Sequence, residues 1–218
     1  MPFDLAEEAL VASGLGDDRE VTRYLDRLEQ LHSRFLASSG GMASSSPAEK
    51  AGKLFRFLWR EKPFRYGRNG PFRFHTVITN QLSRDRSVVG NCLGLTLLYN
   101  SLLLKLDIDA KAVYLEDAFG EGPHVLSLII REGEPLEVEN IFPWGFDYRG
   151  HLSNPSRVLW DSQELVADLY LSMGNRYFKD SFLDEALTAY DMALRLNPGY
   201  EKARLNRLIL LEKRAGKN

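Results

Sequence analysis

The run from Leu93 to Leu106 limits the fold more than any other stretch of this chain. Nearly every residue in it is apolar, and a helix that is apolar on all sides has to be covered by other elements. It is interrupted by Asn100, Ser101 and Lys105 and is too short to span a bilayer. The chain supplies a cover directly afterwards. Residues 110–115, 124–130 and 135–139 are short, β-branched or alternating, and separated by glycine-containing turns. The middle of the chain therefore reads as a buried helix followed by three antiparallel strands, an α+β arrangement.

Helices are expected before it. Asp4 and Glu7 have capping-box spacing with Gly14 as a stop, and Asp17 with Glu20 repeats the start signal. Val21, Tyr24, Leu25, Leu28, Leu31 and Phe35 then mark one face of a longer helix. Residues 38–46 (SSGGMASSS) are too small and polar to pack and read as a linker. Ser46, Pro47 and Glu49 open a helix running to about Lys62, with Ala51, Leu54, Phe55 and Leu58 on its buried face. Residues 63–71 read as loop, and 76–82 as a short helix. The resulting division is 1–46, 47–160 and 161–218. The first ten residues, MPFDLAEEAL, carry acid where a signal peptide carries base, and a single cysteine forms no intrachain disulfide. The expectation is a cytoplasmic protein.

The last segment is patterned differently. With Ala167 as position 1 of a 34-residue unit, Tyr170, Gly174, Tyr177, Ala186, Tyr190, Ala193 and Pro198 fall at positions 4, 8, 11, 20, 24, 27 and 32. Small residues at Gly174 and Ala186 let two helices approach, aromatic rings fill the groove, and Pro198 ends the second helix. The pattern resembles the tetratricopeptide repeat. Only the start of a further unit follows, so the hairpin is expected to dock on the central domain as a buttress, since solenoids of this type need about three repeats.

Cys92 follows Gly90-Asn91 at the expected N-terminus of the buried helix. The first-turn N–H groups and the helix dipole stabilise an anion there, either a thiolate or the oxyanion of an acyl-transfer step. Thiol chemistry also needs a base, and His124 opens the next long strand. A third polar group should orient the imidazole, and LEVEN offers Glu137, Glu139 and Asn140. GNCLGLTLLY at 90–99, PHVLSL at 123–128 and LEVEN at 136–140 resemble the transglutaminase-like superfamily, a branch of the papain-like cysteine enzymes. Joined to a tetratricopeptide segment, they resemble the bacterial SirB-type proteins. The resemblance implies a papain-like or transglutaminase-like core with Cys92 as nucleophile, His124 as base and Glu139 as the acid. Glu139 stands where that family's motif carries Asp, and Asn140 is the competing choice, since papain uses Asn. Strand alternation sends the two to opposite faces, so only one can serve.

Nine basic residues from Lys53 to Arg86, interleaved with aromatics, face two acids, and nine acids from Asp107 to Glu139 face two bases. The two segments nearly cancel, and the net charge is -2. That disfavours nucleic acid and points to intramolecular pairing or an acidic substrate group. His75, His32 and His151 are scattered, so no metal-ligand spacing emerges, no phosphate-binding glycine loop is present, and no cofactor is expected. The expectation is an amide or peptide hydrolase or acyltransferase acting on a peptide or protein. The alternative is a non-catalytic binding or regulatory module built on the same fold.

Overall fold

A computed structural model describes residues 3–40 and 44–216. The elements are α1 (Leu5–Ala12), α2 (Asp18–Ser38), α3 (Pro47–Glu61), α4 (Phe74–Leu82) and α5 (Cys92–Leu104). They continue as β1 (Lys111–Leu115), β2 (His124–Arg131), β3 (Glu134–Val138), β4 (Val158–Trp160), α6 (Ser162–Lys179), α7 (Leu183–Leu196) and α8 (Glu201–Arg214). Among the described residues this is an α+β fold of eight helices and one four-stranded antiparallel sheet.

The helix starts follow the sequence closely. Asp4 accepts hydrogen bonds from the Ala6 and Glu7 N–H groups, and Asp17 accepts from Arg19. Ser46 and Glu49 form a reciprocal capping box with Pro47 in the first turn. α4 begins two residues before the expected Thr76. Of the expected linker, Gly41, Met42 and Ala43 lie outside the described residues, and Ser38 ends α2 instead of opening a loop.

Helix α5 is buried from Leu93 through Leu103, as its composition requires. It packs on the sheet, whose order is β3-β2-β1-β4. Pairing sets Leu115 opposite His124 and Ser127 opposite Val138. The fourth strand was not expected. Val158–Trp160 is three residues long, too short to show alternation, and owes its conformation to pairing Ala112–Tyr114 at the sheet edge.

Asp161 and Glu164 cap α6 with a second capping box. α6 and α7 lie along one another, and α8 follows. Trp160 stacks on Tyr114 at 4.1 Å between centroids, and Tyr200 closes edge-on over both rings. Tyr200 Oη donates to Asp168, 2.6 Å away, and Lys202 Nζ donates to Tyr114 Oη at 2.5 Å. The helical hairpin is thus tied to the sheet edge, and α6 also packs on α1. One contiguous core runs from Leu5 to Leu210. Among the described residues, no helix is long and apolar enough to cross a membrane.

Candidate functional site

Asn91 builds the floor of the site. Its side chain accepts from the Gly94 N–H at 3.1 Å and its carbonyl accepts from Leu95 at 3.0 Å. Cys92 holds the first position of α5, where a backbone N–H has no intrahelical acceptor, and it lies on the cavity wall. Cys92 is half-buried and borders a cavity of about 280 Å³ together with Tyr66, Arg68, Phe119, His124 and Ile141. His124, the first residue of β2, is buried.

Glu139 lies one residue beyond β3, in a turn that closes on itself. Its N–H donates to the Gly145 carbonyl at 2.8 Å, and Val138 bridges Phe146. The Glu139 side chain is fully buried, and its Oε2 lies 2.7 Å from His124 Nε2. A carboxylate only accepts, so His124 Nε2–H donates to Glu139. Burial alone would push His124 toward neutrality. Its interactions with the Cys92 sulfur and then with Glu139 overcome that and hold the imidazole protonated up to about 10. Burial would likewise raise the Glu139 carboxyl, but His124 and His151 together hold it below the ordinary carboxylate value.

Of the competing residues, Asn140 is also fully buried but turns the other way. Its Nδ2 donates to Ser127 Oγ at 2.8 Å and Thr96 Oγ1 at 3.3 Å, so it stitches α5 to β2 and does not meet the imidazole. Glu137 pairs with Arg157. Cys92, His124 and Glu139 therefore come together; Asn140 and Glu137 do not join them.

His151 carries no motif in the sequence. It is buried, and its Nε2 lies 3.2 Å from the same Glu139 Oε2 that meets His124. Phe119 and Tyr148 pack edge-on or tilted against its ring, at 4.7 and 5.1 Å between centroids. The other carboxylate oxygen, Oε1, accepts from the Ile141 N–H at 3.3 Å. His151 follows Glu139 by twelve positions, and no local periodicity marks it. His124, Glu139 and His151 offer three ligand atoms within 4.8 Å of one another. They could take a cation only by deprotonating both Nε2 atoms and giving up both hydrogen bonds to the carboxylate.

The charge asymmetry appears locally. Arg68 spans the cleft mouth to Glu121, with Nη1 3.4 Å from the carboxylate and Nη2 donating to its carbonyl at 2.5 Å. Other basic residues pair at a distance from the site, as Lys62 does with Asp85. A larger cleft of about 730 Å³, bordered by Arg34, Lys62, Phe64 and Arg86, contains neither cysteine nor histidine. Cys92 and His124 border the smaller cavity. Comparison of the chain with protein-family models, with curated proteins and with solved structures finds no match.

Proposed function

We propose that the protein is a thiol-dependent amide or peptide hydrolase or acyltransferase of the transglutaminase-like, SirB type, with Cys92 as nucleophile. The observation that carries the reading is the 2.7 Å bond from His124 Nε2 to Glu139 beside Cys92 at the N-terminus of α5. The Cys92 thiolate attacks the carbonyl carbon and forms the C–S bond, while the Cys92 backbone N–H at the start of α5 stabilises the developing oxyanion. As the tetrahedral species collapses, the C–N bond breaks and the His124 imidazolium gives its proton to the leaving amine. His124 then accepts a proton from water or an acceptor amine, which attacks the thioester and frees Cys92. Glu139 holds the ring, and His151 together with the Ile141 N–H holds Glu139. That double hold suits a Glu in place of the family's Asp, because the added methylene needs a second constraint.

The C-terminal segment supports the other half of the resemblance. Gly174 abuts the Tyr190 ring, Ala186 and Ala193 are buried, and Pro198 follows the end of α7. We read it as one tetratricopeptide-type unit docked as a buttress. A second reading, a binding module, draws on the exposed Leu205, Leu208 and Ile209 on α8. p-Nitrophenyl acetate separates the two. An acyl enzyme predicts a burst of nitrophenolate stoichiometric with protein and acetylated Cys92 in the digest, both absent from Cys92→Ala. No burst and no acetylated Cys92 would leave the module.

A further inference from the structure

The turn that places Glu139 also carries two stacked aromatic rings, Phe142 partly buried against the core and Trp144 exposed. Phe142 and Trp144 stack with their planes 1° apart and centroids at 5.4 Å, and Trp144 is 72% exposed. Phe119 continues the row, 5.6 Å from Phe142 and 5.7 Å from His124, and is 49% exposed. Phe119 borders the Cys92 cavity, so the row runs from the nucleophile outward. Scattered exposed apolar residues need no explanation, but contiguous rings against a reactive cleft do.

Phe119 carries further information. Its φ is 59°, a left-handed conformation that a bulky residue keeps only where its surroundings enforce it. They do so here. The Ala118 N–H donates to the Gly122 carbonyl at 3.0 Å, the Gly122 N–H to Asp117 Oδ1 at 2.6 Å, and Asn154 Nδ2 to the Asp117 carbonyl at 2.8 Å. The turn spends strain to hold a phenyl ring at the cavity rim rather than in the core.

We propose that Phe119, Phe142 and Trp144 form the platform that receives a bulky apolar side chain, aromatic or aliphatic, adjoining the amide attacked by Cys92. This rests on the thiol reading above and adds a substrate class to it: peptides with such a residue on the acyl side of the attacked bond. Ile141 and Pro143, neighbours of the rings in the chain, are apolar, and Tyr148, whose ring lies 6.2 Å from Phe142, brings a single hydroxyl, fewer than the several polar partners a sugar stacked on the same rings would need. Tyr66, Arg68, Asn69 and Asn91 bring polar groups to the cavity from segments other than the Phe119 turn, which itself adds Glu121 at the mouth. A peptide backbone can thus lie between a polar lining and an apolar row.

The test has two arms. Trp144 is the exposed tryptophan of the three, against 9% for Trp59 and 3% for Trp160, so acrylamide quenching reads the platform. Acetyl-phenylalanyl-glycine amide should shield it, acetyl-glycyl-glycine amide and chitobiose should not, and Phe142→Ala should remove the effect. In the second arm Cys92 is alkylated by acetyl-phenylalanyl and acetyl-glycyl chloromethyl ketones, the sulfur forming a C–S bond as chloride leaves. The phenylalanyl reagent should react about tenfold faster, the factor expected from roughly 1.4 kcal/mol of ring contact. That ratio, taken within each variant, should fall toward unity in Trp144→Ala and Phe119→Ala. Equal rates for the two ketones in the parent, or a ratio the variants leave unchanged, overturns the proposal. If Cys92 proves inert toward iodoacetamide and indifferent to His124→Ala, the thiol reading fails separately. The quenching arm then decides: shielding by the phenylalanyl peptide alone upholds a peptide platform, and shielding by chitobiose, or none, overturns it.

Discussion

Replacing His151 by alanine removes one of the two imidazoles that meet Glu139 Oε2, at 3.2 Å, and leaves His124 alone on that oxygen. A hydrogen bond to a charged group contributes about 1.5–3 kcal/mol, and loss of the ring packed against Phe119 and Tyr148 adds to it, so a destabilisation of roughly 2–4 kcal/mol is expected. The pH dependence is more diagnostic than the size. Against the pull of burial, His124 and His151 hold the Glu139 carboxyl below its ordinary 4.5. A depressed carboxyl contributes stability that is present above its unfolded value and lost as pH falls through the folded one. Without His151 the folded value rises, so the acid unfolding midpoint, followed by far-UV circular dichroism, should move to higher pH. His151→Gln keeps an N–H donor at similar reach and should recover most of the shift. An acid midpoint identical in His151→Ala and the parent, or a Gln variant no better than Ala, would refute this account of Glu139.

Three further outcomes follow from packing. A Cβ at position 145 would run into the Glu139 carbonyl oxygen, and the neighbour is backbone. Gly145→Ala should therefore slow Cys92 alkylation at least about tenfold, equivalent to ~1.4 kcal/mol, and an unchanged rate would show that the turn does not set the acid. At Gly174 a Cβ would stand 2.5 Å from Tyr190 Cε1 inside the α6–α7 contact. Overpacking of about 1–3 kcal/mol should lower the melting temperature of Gly174→Ala by several degrees; a Tm equal to the parent's would mean that Tyr190 moves aside freely. A chain ending near residue 160 uncovers Tyr114 and Trp160, which pack under Tyr200, and should be insoluble or destabilised, whereas a well-folded product would overturn the buttress assignment.

What could be read from the sequence follows physical range. Caps at Asp4, Asp17 and Ser46 act within a turn of their own helix, so their spacing alone marks three helix starts. The all-apolar α5 announced its own burial. Cys92 and His124 were legible because each sits at the first residue of a regular element. The choice between Glu139 and Asn140 was not decided by alternation, because both lie beyond the last residue of β3 and the turn closed by Gly145 sets their directions. His151 and β4 were invisible for the same reason: a buried loop histidine and a three-residue edge strand owe their roles to partners that are distant in sequence.

The central claim is that Cys92 is a nucleophile activated by His124 and Glu139. The rate of Cys92 carbamidomethylation by iodoacetamide, measured from pH 5 to 10 on the folded protein, tests it most directly. The account predicts rapid alkylation already near neutral pH, with the neutral-pH rate abolished by His124→Ala and strongly reduced by Glu139→Gln. A rate that climbs only as an ordinary thiol ionises, and that neither substitution changes, would contradict it.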